Sequence, residues 1–259
     1  RPERVGPAVW QGLYFSLGAG VAFLGLIPLA GRFFELAEHP PELPAAEKVY
    51  FECLCWMALP NLLVATTSAF FSGRGESATV LWINGVGMVV NAVLAPLMIF
   101  GRRGFAEGGI AGAGYATLIA TWFAALVGLA LVFRKKYRLE FDLIRGRRFD
   151  RDLFRRLLRY GLPSGSQWML DTLAFGMFLW LSEKFGPESF AATSLAYAIN
   201  SLIFIPMIGL AQAASILVGQ RLGDNDPERA EKLTWVSYRL AFLYMGTIAL
   251  AFVLFPKSF

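Results

Sequence analysis

The sequence predicts an all-α polytopic membrane protein, and three observations carry that prediction. Of 259 residues, 56% are hydrophobic and only 17% charged, far from the soluble balance of roughly 45–50% apolar and about 25% charged. Apolar runs long enough to cross a bilayer, which takes about 20 helical residues, recur seven times. Lys and Arg gather in alternate gaps between those runs, the asymmetry that sets membrane topology.

The first run, near 10 to 31, follows "RPERVGPAVW". The second, near 49 to 72, carries Cys53 and Cys55 as "CLC"; a two-residue step on a helix points side chains apart, so both read as apolar packing, not as metal ligands or a disulfide. The third and fourth runs, near 77 to 100 and 109 to 133, flank "GFAEGGIAGAG". That Gly run lacks the GxGxxG spacing and the preceding strand of a dinucleotide loop. Gly108 and Gly112, like Gly161 and Gly165 in the fifth run, read as small residues that let helices approach closely. The fifth run, near 160 to 182, follows "RKKYRLEFDLIRGRRFDRDLFRRLLR"; the sixth and seventh lie near 190 to 219 and 233 to 255. No run alternates strictly, and transmembrane strands need only about 10 residues. Pro60, Pro96 and Pro206 interrupt spans, either as bending points or as passive kinks. Trp10, Trp56, Trp122 and Trp235, near span ends, read as interfacial anchors or lipid-facing packing.

Orientation follows from the bases. The chain start and the gaps after the second, fourth and sixth runs hold 17 of them: Arg1, Arg4, Arg74, eleven from Arg134 to Arg159, Arg221, Arg229 and Lys232. The opposite side holds six, namely Arg32, Lys48, Arg102, Arg103, Lys184 and Lys257, and Arg239 lies inside a span. The richer side is expected in the cytoplasm, which places the chain start and 134–159 there and the protein in a plasma membrane, a bacterial inner membrane in particular. The formal charge of +5 is then mostly topology, with contact to anionic headgroups as an addition, and no nucleic-acid partner is expected. His39 is the sole His, so a His-based metal site or a Ser-His-Asp triad has almost no material; no metal and no cofactor beyond a coupling ion are expected. The absence of an initiator Met and of a signal-peptide pattern, and the stop at "FVLFPKSF", lead us to expect a window on a longer chain.

"RPERVGPAVW" and "DPERAEKLTW" share Pro, Glu, Arg and Trp at an offset of 225 residues. Six spans separate them, so both segments introduce helices running the same way, as a parallel internal duplication would. The alternative is the preference of any first helical turn for Pro and Glu. A true repeat would imply a parent of roughly 450 residues, with 12 spans in two six-helix lobes.

A carboxylate at the bilayer centre costs about 2.5–3.5 kcal/mol on insertion scales and mostly faces a cavity or a partner. Asp171 lies midway between Tyr160 and Ser182, near the middle of the fifth span. Gln167 is one turn earlier on the same face, and the antiparallel sixth span brings Tyr197 and Asn200 to similar depth. Asp171, Gln167, Tyr197 and Asn200 form a candidate coupling site that would hold a monovalent cation on oxygen ligands, or a proton if burial raises the carboxyl pKa. A neutral, hydrogen-bonded packing role for Asp171 is the plainer reading.

"FFSGRGESATVLWINGVGMVVNAVLAPLMIFG", "GIAGAGYATLIATW", "LRYGLPSGSQWMLDTLAFGMFLWL" and "VGQRLGDNDPERAEK" resemble the multidrug and toxic compound extrusion (MATE) transporters across nearly the whole chain. The resemblance implies 12 helices in two pseudo-symmetric lobes, with alternating access driven by a sodium or proton gradient. It makes 1–133 the last four helices of the N-terminal lobe, 134–159 a basic cytoplasmic connector and 160–259 the first three helices of the C-terminal lobe, so that the window runs from the third helix to the ninth. One branch of the family carries an acid, usually Glu, eight residues after the Pro of a "GLP"-like turn, and Asp171 follows Pro163 at that spacing. Members also build a first-lobe cation site, to which Asn91 and Thr117 correspond. Ala95 stands where that site would have Asp or Asn, and helix packing is the competing role for Asn91.

The expected function is therefore sodium- or proton-coupled antiport, exporting small amphipathic or cationic organic compounds, by a monomer in the bilayer and without enzymatic activity. A lipid-linked sugar flippase of related architecture is the alternative, although it should show a strongly basic cavity, and nearly all bases here lie at span ends. A seven-helix receptor needs an extracellular start. A membrane-embedded enzyme needs paired catalytic groups at one depth, and Asp171 has no second acid near it in the sequence.

Overall fold

A computed structural model describes residues 4–29, 44–101 and 107–254; His39, Arg1, Arg32, Arg102, Arg103 and Lys257 lie outside them. Among the described residues the long elements are all α-helices: α1 (Val5–Leu24), α2 (Pro44–Gly73), α3 (Ser77–Ile99), α4 (Gly109–Val132), the short α5 (Lys135–Glu140), α6 (Arg151–Glu183), α7 (Pro187–Gly223) and α8 (Pro227–Leu254). Six of the seven expected spans are helices long and apolar enough to cross a membrane. The remaining one, the fifth run, lies on α6, a continuous helix of 33 residues, but Gln167, Asp171 and the serines around them dilute its apolar stretch. Pro60, Pro96, Pro163 and Pro206 all lie inside continuous helices.

The chain divides into two compact units, Arg1–Tyr160 and Gly161–Phe259. In the first, α4 packs most extensively on α2 and α3, and α1 also packs on α2. The reason is legible in α4 itself. Gly112, Ala116, Ala120, Ala124 and Gly128, each four residues apart, form a buried stripe of small side chains, which lets neighbouring backbones approach where lipid supplies no hydrophobic drive between helices. The approach is closest at Gly112, where an added Cβ would lie 2.2 Å from the Met98 carbonyl oxygen. Gly161 and Gly165, read from the sequence as similar contacts, instead have nothing within 4 Å of such a Cβ, so they form no close helix contact among the described residues. Cys53 and Cys55 are buried, free thiols.

The core concentrates at the connector end. Phe70 and Phe71 meet edge to face with centroids 5.1 Å apart, and Phe70 packs likewise on Tyr137 and Phe141; such pairs add about 0.5–1.5 kcal/mol beyond area burial. Phe141 and Leu143 are buried in the same cluster, so 134–159 is a folded element and not a loose tether. The start of α1 holds it: Trp10 Nε1 donates to the Leu143 carbonyl at 2.6 Å, Gln11 Nε2 to the Arg148 carbonyl at 3.3 Å, and the Tyr14 hydroxyl to the Arg147 carbonyl. Contact is close enough to require glycine on both sides, since a Cβ on Gly6 would sit 2.4 Å from the Phe141 oxygen and one on Gly146 2.9 Å from the Pro7 nitrogen.

In the second unit α7 packs on α8. Asp150 and Asp226 open α6 and α8 as caps: Asp150 Oδ1 accepts from the Asp152 and Leu153 N–H groups at 3.0 and 3.1 Å, and Asp226 Oδ1 from that of Arg229 at 3.2 Å. Both satisfy donors that a helix start leaves orphaned.

Candidate functional site

In the second unit, Gln167, Asp171 and Phe175 recur at four-residue spacing on α6, one stripe along the helix. Gln167 and Asp171 are exposed. Tyr197 of α7 meets the stripe at its last member, its ring stacked on Phe175 with centroids 3.6 Å apart and planes 22° from parallel. A carboxylate one turn from a paired aromatic face suits a cation, with the charge supplied by Asp171 and the face by the rings. Asn200 faces elsewhere, into a hollow of about 370 Å³ lined by Ile203 and Phe204 of α7 and Met245 and Ile248 of α8. Among the described residues no hydrogen bond joins Asp171, Gln167, Tyr197 and Asn200. Beside that hollow the Tyr244 hydroxyl donates to the Ile203 carbonyl at 3.1 Å, next to the Leu202 carbonyl whose usual helical partner Pro206 cannot supply.

In the first unit, α2, α3 and α4 border an open hollow of about 250 Å³ lined in part by Asn61, Asn84, Asn91, Thr117 and Thr121. Here the structure brings the two expected residues together: Asn91 Nδ2 donates to Thr117 Oγ1 at 3.1 Å, and Thr117 Oγ1 donates to the Ala113 carbonyl at 2.9 Å. Asn61, Asn84 and Thr121 were not singled out from the sequence, although Asn84 lies seven residues before Asn91 and Thr121 four after Thr117, spacings that share a helix face. The polar lining is neutral, made of amides and hydroxyls, which can ligate a monovalent cation or hydrogen-bond a polar compound. Thr117→Val keeps the shape and removes the Asn91 partner, and should lower stability by about 0.5–1.5 kcal/mol in thermal unfolding of the detergent-purified protein. Among the described residues no three of His, Cys, Asp and Glu converge as a metal site would require.

A third polar cluster lies outside the spans. Arg74 Nε pairs with Glu76 at 3.1 Å and its terminal nitrogen with Glu140 at 3.5 Å, while its guanidinium lies 4.5 Å from the centroid of Phe141 and 5.1 Å from that of Tyr137. The Tyr137 hydroxyl donates to the other Glu76 oxygen at 2.7 Å. Partial burial pushes the Glu76 carboxyl up, but the hydrogen bonds from Tyr137 and Arg74 and the charges of Arg74 and Lys136 outweigh it and hold the group below the usual carboxylate range. A folded pKa below the unfolded one gives stability that is present above the ordinary range and lost as pH falls through the folded value. Glu76→Gln should therefore melt lower than the native protein at pH 7 and lose less on acidification below about pH 4, read as melting temperature against pH.

The MatE family model matches the chain twice, over residues 1–97 and 163–259. A probable multidrug resistance protein NorM of Geobacillus kaustophilus is 30% identical over an alignment covering all of this chain and 56% of that protein. One of Brucella suis is 29% identical, covering 85% of this chain and 47% of that protein. The chain thus spans about half the length of the curated relatives it matches. Among solved structures, a MOP superfamily transporter from Pyrococcus furiosus superposes with a TM-score of 0.82 at 21% identity, over 98% of this chain and 61% of that one. A crystal structure of MATE in the straight conformation gives 0.83 at the same identity and coverage. The likeness of fold, the membrane-length helices and one family model matched on both sides of the connector lead to a single conclusion: this all-α, multi-pass membrane protein belongs to the MatE family.

Proposed function

We propose that the whole protein is a cation-coupled antiporter that exports small amphipathic or cationic organic compounds by alternating access. The observation that carries this reading is the Asp171 carboxylate on a span-length helix, one turn from the Phe175–Tyr197 stack. A negative charge at such a position is costly when bare and cheaper when neutralised. A coupling ion, sodium or a proton, and an organic cation would compete for it, so that the site crosses between its two exposures with its charge covered each time. Moving an uncovered charge through the field costs about 2.3 kcal/mol per 100 mV, and exchange avoids that cost. The stacked rings add attraction for a flat organic cation that a proton does not need.

In this reading 1–133 are the last four helices of an N-terminal lobe, 134–159 the cytoplasmic connector and 160–259 the first three helices of a C-terminal lobe, in a monomeric twelve-helix protein of a bacterial inner membrane. The first-lobe cavity at Asn91 and Thr117 is a second candidate for the ion. The protein performs no covalent chemistry. The test is efflux of a fluorescent cationic dye from liposomes holding the intact protein, under a sodium gradient and then a proton gradient. Acceleration by one of them supports antiport. Equal leakage under both, together with movement of a lipid-linked sugar probe, would favour the flippase.

A further inference from the structure

We propose that the connector, residues 134–159, is a docking surface for anionic phospholipid headgroups, with Arg145, Arg147, Arg148 and Arg151 as the phosphate-contacting group. A topology signal needs only charge on one side of the membrane, and this segment is built further than that. Its eleven bases face four acids, Glu140, Asp142, Asp150 and Asp152, and those acids are largely engaged. Glu140 pairs with Arg74 outside the segment, and Asp150 caps α6. Among the described residues only Arg145 of the four arginines has an ion pair, an exposed one of 3.9 Å to Asp142. All four are exposed.

The second observation is where the surface is held. Trp10 packs edge to face on Phe133, the residue that ends α4, with centroids 5.8 Å apart, so the starts and ends of two membrane helices are level there. Trp and Tyr rings favour headgroup depth, and Trp10, Gln11 and Tyr14 together bind the carbonyls of Leu143, Arg148 and Arg147. Buried Leu143 fixes the backbone from the other side. The arginines thus project from a backbone tied to the start of one membrane helix and the end of another, and salt screens charge only beyond roughly 8 Å.

The third is apolar. Ile144 and Phe149, between and beside these arginines, are 53% and 59% exposed. Exposed apolar side chains alternating with bases match an interface in which phosphate and acyl chain lie a few ångström apart; an acidic soluble protein or a nucleic acid would offer the charge without the apolar layer.

The proposal is tested on the full-length protein reconstituted in phosphatidylcholine membranes containing trace spin-labelled phosphatidylglycerol or spin-labelled phosphatidylcholine, with the protein-immobilised fraction of each read by electron paramagnetic resonance. The expected result is a preference of about fivefold or more for the anionic label, the ratio that one base near an anionic surface supplies. It should shrink as salt is raised, fall toward parity when the four arginines are replaced by Gln, and survive their replacement by Lys. Equal immobilisation of the two labels on the native protein overturns the proposal, as does a preference that neither salt nor the Gln variant changes. The salt series keeps the test decisive should the Gln variant insert poorly. An acidic polypeptide that binds the native protein in detergent and loses binding in the Gln variant, with lipid preference intact, assigns the surface to a protein partner and also overturns it.

Discussion

Asp171→Asn is expected to reduce gradient-driven dye efflux to the level of protein-free liposomes. The substitution keeps size and hydrogen-bonding capacity and removes the charge for which, in the proposed cycle, ion and substrate would compete. A neutral amide cannot exchange one cation for another, so the gradient-driven part of the efflux is the part expected to vanish. Asp171→Glu restores the charge on a longer arm and should keep part of the rate. The two are compared in the same liposomes, with equal protein incorporation checked by immunoblot. Unchanged efflux by Asp171→Asn would move coupling to the Asn91 and Thr117 cavity, and the expected loss would leave that cavity a supporting role. A packing role for Asp171 predicts a different pattern, with lower melting temperature and an unaltered rate in the protein that survives.

The largest stability effect is expected at Gly112. In an ordinary helix, Gly→Ala gains about 0.8–1 kcal/mol. At Gly112 the new Cβ would meet a backbone oxygen at 2.2 Å, and α3 and α4 can separate only by breaking the stripe that packs them. Overpacking typically costs about 1–3 kcal/mol, occasionally more, and a backbone obstacle puts Gly112→Ala at about 3 kcal/mol or above. Gly161→Ala has open space and should be neutral or slightly stabilising. The pair is measured side by side as melting temperature in one detergent, so that the general effect of Ala on helix propensity cancels. Equal shifts would mean that α4 does not depend on its small residues.

Both predictions also mark what the sequence revealed. Spans were legible because apolar length is a local property: six of the seven runs coincide with membrane-length helices, although the helices of the first and seventh runs begin five and six residues before the apolar run does. The stripe on α4 was partly legible through Gly108 and Gly112, but the same reasoning misplaced Gly161 and Gly165, since spacing says that two glycines share a face and not what that face meets. The Asn91–Thr117 pair followed from the family resemblance, whereas Asn61 on α2 had no local signal: its part in the cavity depends on how α2 rotates against α3. For the same reason Tyr197 and Asn200, three residues apart, seemed equivalent partners for Asp171 until the helices were placed. One faces α6 and the other α8. Arg74 was counted as a charge on one side of the membrane; its partners Glu140, Tyr137 and Phe141 lie more than sixty residues away along the chain.

The anchoring of the connector by α1 has a consequence in time. Trp10 and Leu143, and likewise Tyr14 and Arg147, are separated by 133 residues. At about 5–20 residues per second, a ribosome takes about 7–27 s to travel from the first of each pair to the second. Throughout that interval the indole, the phenol and the Gln11 amide have no connector to bind. The polar start of α1 must be sheltered by water, headgroups or the insertion machinery until α2, α3 and α4 have also been made, so the unit they form can lock only when its last segment arrives.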